Sequence, residues 1–207
     1  MDALALTPNP ATRPTTSVPA KMLNVLASPD EVFAEVTAAP HNPANWLGPT
    51  LLAVVTGSVL AQTTSGDVSW RWVLSLGFGA FAGTCWSAFL LWFIARVFLD
   101  SRFSFVKAME VVGLAVIIPA LGAVVTSLLI VVSGDVTARP ALSMFVAKLP
   151  AGNHARAVMD ALNFFHLWTT TVLAIGLARL SGVSFKEAAF WVFGIWVFGR
   201  IALILLG

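Results

Sequence analysis

Charge is what this sequence has least of. Lysine, arginine, aspartate and glutamate make up 11% of its 207 residues, against about 25% in an ordinary soluble domain. A soluble domain of this length must cover its surface with polar side chains, and too few are present. With 58% hydrophobic residues and a mean hydropathy of +0.87, the chain needs lipid as its solvent, where apolar side chains can face outward. The net charge of +2 points to neither nucleic acid nor an acidic partner, and the pI of about 9.1 reflects a small imbalance rather than a basic patch. The single cysteine, Cys85, excludes an internal disulfide and cannot build a zinc site. Residues 1–20 hold Pro8, Pro10, Pro14 and Pro19 and no apolar run of signal-peptide length. Alternation of apolar and polar residues is also missing, which argues against a β-barrel.

Long apolar runs are what the sequence does have, and they predict an all-α polytopic bundle of about five transmembrane helices. The expected spans are Trp46 to Thr64, Val73 to Ala95, Val111 to Ser133 with Pro119 inside it, Ala161 to Ala178 interrupted by His166, and Glu187 to Gly207 with Arg200. Each is near the 20 or so residues that cross the hydrocarbon at about 1.5 Å per residue. Trp46, Trp70 and Trp72 fall at span ends, where indoles favour the interface. Ahead of the spans, residues 1–20 read as a proline-rich extended tail and residues 21–44 as an interfacial amphipathic segment. In the latter, SPDEVF predicts a helix start: Ser28 and Glu31 as a capping box, Pro29 in the first turn, acidic Asp30 and Glu31 at the positive end of the dipole. Val32, Phe33 and Val36, with Leu26 upstream, form its apolar side, to lie on the membrane or against the bundle. Residues 45–207 are the transmembrane domain. Ala141 to Leu149, in the connection before the fourth span, fits a short surface helix.

Orientation follows from lysine and arginine. Arg13, Lys21, Arg96, Arg102, Lys107, Arg179 and Lys186 fall on one side, and Arg71, Arg139, Lys148 and Arg156 on the other. The excess predicts a cytoplasmic N-terminus and an exported C-terminus.

Three stretches resemble the Yip1 domain family in its bacterial branch: SPDEVF at residues 28–33, SFVKAMEVVGLAVIIPALG at 104–122, and LWTTTVLAIGLARLSGVSFKEAAFWV at 167–192. Leu114 departs from the pattern, standing where an aromatic residue is expected. The resemblance implies a five-helix fold with a cytoplasmic N-terminus. Eukaryotic relatives are associated with Rab GTPases and vesicle traffic, but the family carries no catalytic motif onto these residues.

Three constellations are candidates for function. Asp160, His166 and Arg200 come to neighbouring depths if the last two spans run antiparallel; they could form a proton or ion relay, or an Arg200–Asp160 pair that fixes two helices with His166 beside it. Lys107 and Glu110, with Arg96 and Arg102 near in sequence, form either an interfacial salt-bridge cluster or a lipid-headgroup or partner patch. Gly79 and Gly83 have GxxxG spacing, which serves close helix packing within the bundle or with another chain. No catalytic, cofactor or metal residues are expected. The predicted function is a non-enzymatic interaction, scaffold or accessory subunit whose partners are membrane lipids and other membrane proteins; a transporter or channel component and a lipid-handling or membrane-shaping protein are the alternatives.

Overall fold

The structure is a computed structural model that describes residues 16–66, 68–146 and 154–206. Its helices are α1 (Val18–Ala27), α2 (Pro29–Ala38), α3 (Ala44–Ser65), α4 (Trp70–Phe98), α5 (Phe105–Ala115), α6 (Ile117–Ser133), α7 (His154–Ala161), α8 (Phe164–Ser181) and α9 (Phe185–Leu206), with a 3-10 turn at Leu142–Val146. The described residues form an all-helical bundle. Four stretches are long and apolar enough to cross a membrane: α3, α4, α5 with α6, and α9. The fifth expected span, α8, has 18 residues, about 27 Å at helical rise. It packs on α9, α2 and α5.

The N-terminal segment is a helical hairpin docked on the bundle. The expected tail lies outside the described residues as far as residue 15; helix begins already at Val18, because Pro19 sits in the first turn, where its missing N–H costs nothing. Ser28 joins α1 to α2. Its backbone N–H bonds Asn24 O at 2.7 Å, closing α1. Having that task, it takes φ −132°, ψ 58° and makes no side-chain cap, so the expected capping box does not form. Pro29 does open α2, with Asp30 and Glu31 in the first turn. The apolar side of α2 faces protein rather than lipid: Val32, Phe33 and Val36 are buried, against α8 and α5.

Helix α5 is the centre of the molecule. Every residue from Ala108 to Ala115 is buried, and α1, α2, α3, α4 and α8 all pack on it. Small residues let backbones approach there. A Cβ added to Gly113 would fall 2.2 Å from Trp46 Cβ, and one on Gly176 2.3 Å from Val111 Cγ1. The third span breaks at Val116, three residues before Pro119. Proline has no N–H to offer the carbonyl of Ala115 and its ring crowds that turn, so α5 ends with Val116 N–H shared between Val112 O and Gly113 O, both at 3.1 Å.

Two spans are displaced from expectation. Helix α4 reaches a turn further at its start, through Trp70 and Trp72. The fourth span starts at Phe164 instead of Ala161, because Asn163 caps it by accepting from Phe165 N–H at 2.9 Å. Ala161 belongs to α7, a helix not foreseen from the sequence. The short helix expected at Ala141 to Leu149 is reduced to the 3-10 turn, and its last residues lie outside the described ones. Ala141 and Asn163 form an isolated antiparallel bridge, and Phe164 N–H bonds Pro140 O at 3.1 Å, which folds the connection after α6 back over the start of α8.

Candidate functional site

The most developed polar cluster is built on Glu110, in the second turn of the 105–133 span and fully buried. A carboxylate at such a place must collect donors. Lys107, one turn earlier, brings its ammonium to 3.1 Å from Glu110 Oε1. The same ammonium donates to the carbonyls of Val36 and Ala39, each at 2.8 Å, and of Pro40 at 3.3 Å. It thereby caps α2, whose last carbonyls carry the negative end of the dipole. His41 Nδ1 lies 2.9 Å from Oε1; since an ionised carboxylate only accepts, Nδ1 carries the proton. Asn45 Nδ2 donates to Oε2 at 2.6 Å, while Asn45 Oδ1 is buried and unpartnered among the described residues. The cluster ties α2, the 39–43 connection and the start of α3 to α5.

Of the four residues expected here, Lys107 and Glu110 are joined and Arg96 and Arg102 are not. Arg96 lies over the Trp92 ring at 5.3 Å, and Arg102 is exposed; neither makes an ion pair with Glu110 among the described residues. Helix α4 carries Arg96 past the bundle surface, where stacking on its own tryptophan substitutes for a partner. His41 and Asn45 were missed. The signal that could have found them is Glu110 itself, a lone acid beside a long apolar run, with donors available in the connection that precedes the first span.

Two further ion pairs hold the hairpin. Asp30 and Arg179 form a bidentate contact between α2 and the end of α8, and the hydrogen-bonded guanidinium holds the Asp30 carboxyl below its ordinary range. Lys21 sits 3.2 Å from Glu35, and Thr16 N–H donates to Glu35 at 2.9 Å. Partial burial alone would raise the Glu35 pKa, but these donors and the lysine charge outweigh it and lower it.

At the opposite end of α8, Arg200 Nη2 donates to His166 Nδ1 at 2.7 Å and stacks on Trp196 at 5.7 Å. The expected Arg200–Asp160 ion pair is not among those formed by the described residues. Asp160 is on α7, which was not anticipated, and that helix holds it at the outer rim of a cavity that His166 also lines. The three residues thus share a region in which only His166 and Arg200 touch.

Gly79 and Gly83 do not serve close packing inside the bundle. Both are exposed, and a Cβ added to either would meet nothing within 4 Å. They border a groove of about 300 Å³ that continues past Thr84 to Val112, Pro119 and Leu173. No group of three His, Cys, Asp or Glu residues with metal-binding geometry occurs among the described residues.

The fold and the buried polar clusters define an integral membrane helix bundle with a docked N-terminal hairpin. The Yip1 domain family model matches residues 23–206, from within α1 to the end of α9, and the chain belongs to that family. No curated protein and no solved structure matches the chain.

Proposed function

We propose that this Yip1 domain protein is a non-enzymatic accessory subunit that docks onto another membrane protein through the Gly79–Gly83 face of α4. One observation carries the reading. Glycine inside a helix costs about 1 kcal/mol relative to alanine, and that cost is ordinarily offset where a neighbouring helix comes close, as at Gly113, which meets the Trp46 backbone, and Gly176, which meets the Val111 and Phe33 side chains. At Gly79 and Gly83 the bundle supplies no neighbour. Small residues one turn apart beside an unfilled groove suit the approach of a further transmembrane helix. The polar residues support the same reading, because Glu110, Lys107, Asp30 and Arg179 are spent on holding the chain's own helices together. The setting we infer is a bacterial inner membrane, with α1 and α2 on the cytoplasmic side.

Replacing Gly79 and Gly83 together by leucine tests it. The variant is expected to keep the thermal melt of the parent and to lose its stoichiometric membrane partner on purification in mild detergent. Gly113→Leu, by contrast, should unfold the bundle. A partner retained at parental stoichiometry in the double variant removes the reading. A second reading, lipid handling, is favoured by the cavity at the far end of α8.

A further inference from the structure

The face opposite the hairpin carries two cavities that share a wall. The outer one, about 320 Å³, has Thr137, Arg139, Asp160, Asn163 and His166 as its described lining residues. The inner one, about 250 Å³, shares Arg139, Asn163 and His166 and runs inward among Leu60, Pro119, Gly122, Ala123 and Phe165. Together they form a slot with a polar mouth and an apolar depth.

The mouth is biased toward a singly charged anion. Arg139 uses one terminal nitrogen on the carbonyls of Val136 and Ala138, at 3.1 and 2.8 Å, which fixes the guanidinium; its other N–H groups have no acceptor among the described residues. A guanidinium only donates, so the 2.7 Å contact from Arg200 makes His166 Nδ1 an acceptor and places the imidazole proton on Nε2. His166 is therefore a neutral donor backed by a cation. Arg139 in the lining and Arg200 behind His166 bring two guanidinium groups to the mouth, facing Asp160 at the rim, while the Asp135 carboxylate is engaged by Thr137. Asp160, exposed at the rim, repels a doubly charged bare phosphate and can accept from a hydroxyl or ammonium lying beyond a phosphodiester.

We propose that this slot binds a phosphodiester amphiphile whose head carries a hydrogen-bond donor, with the phosphate at Arg139 and His166 and the acyl chain between Leu60, Pro119 and Phe165. The two ends of such a molecule match the two ends of the slot, and the bilayer delivers it laterally. A chainless phosphate would use the mouth alone.

The test is titration of the full chain, in amphipol, with lysophosphatidylglycerol, with its chainless head glycerophosphoglycerol, and with inorganic phosphate. Binding of the lysolipid at least tenfold tighter than of the chainless head is expected, with a further tenfold loss in Arg139→Gln. Ala123→Leu, which fills the depth, should abolish the advantage of the chain and leave the head's weak binding unchanged. Equal binding of all three probes would make this a soluble-anion site and overturn the proposal, as would absence of lysolipid binding or parental affinity in both variants. Should Arg139→Gln fail to fold, Ala123→Leu reads the same slot from its apolar end.

Discussion

Glu110 sets the terms at the residue scale. It has no exposure, and its charge is balanced only by Lys107, with His41 and Asn45 as further donors. Removing the cation alone, in Lys107→Met, leaves a buried carboxylate without its counter-charge and frees the carbonyls at the end of α2. A loss of about 3–5 kcal/mol is expected, read as a lowered melting temperature in detergent. The double variant Lys107→Met, Glu110→Met should recover the part of that loss that comes from the uncompensated carboxylate, while the freed α2 carbonyls and the Asn45 amide stay unpaired. A double variant that adds the two single losses would show that the residues do not act as a pair. The sequence made Lys107 and Glu110 legible, through their spacing at the head of a span. It did not make His41 legible, because a histidine between two prolines carries no local pattern; only the unmet demand of Glu110 selects it.

Acid titration belongs to the same scale. Asp30 and Glu35 are held below their ordinary values of 3.8 and 4.5. A carboxylate depressed in the folded state contributes its stability in full above its unfolded pKa and loses it as the pH falls through the folded one. Docking of the α1–α2 hairpin should therefore be constant from neutral pH down to about pH 5 and weaken below about pH 4, following those ordinary values. Limited proteolysis at the 39–43 connection across that range measures it. Asp30→Asn should cut faster at neutral pH and show a smaller further increase in acid, whereas an Asp30→Asn profile identical to the parent's would remove the Arg179 contact from the account.

At the scale of elements, the apolar runs were legible because a span needs length and greasiness more than pattern. What connects the spans was not. Helix α7 lies in a segment with no sustained apolar period, and α1 hides behind Pro19, which reads as a breaker until it is placed in a first turn. The start of α8 moved because Asn163 caps it, a local choice that hydropathy cannot see. The depth of α2 was half legible: its apolar side was evident, but whether lipid or protein covers it depends on Gly176, far away in sequence. Phe33 Cε2 would lie 3.3 Å from a Cβ at that position, and Val111 Cγ1 nearer still. Gly176→Val should thus push α2 and α5 away from α8, lowering the melting temperature and exposing the 39–43 connection to protease, while Gly194→Val, with nothing within 4 Å of its added Cβ, should do neither. A Gly176→Val chain as stable as the Gly194→Val chain would contradict the packing.

At the scale of the whole molecule, we propose that α8 crosses along with the four longer apolar stretches, so that the two ends lie on opposite sides with the N-terminus on the side richer in lysine and arginine, the inside. Reporter fusions at Met1 and Gly207 should report cytoplasmic and exported ends respectively; both ends on one side would mean that α8 does not cross. In that proposed orientation the polar chemistry divides along the membrane normal, with the Glu110 cluster and the hairpin at the cytoplasmic end and the Arg139–His166 slot at the other. Between them, α4 turns Gly79 and Gly83 outward. The central claim is that a protein helix, not lipid, covers that face. A photo-crosslinking amino acid placed at Trp86, one turn past Gly83 on the same face of α4 and exposed, and for comparison at Phe198, exposed on α9, tests it in native membranes. A discrete protein adduct from position 86 and only lipid adducts from position 198 are predicted; lipid adducts alone from both positions would contradict the claim.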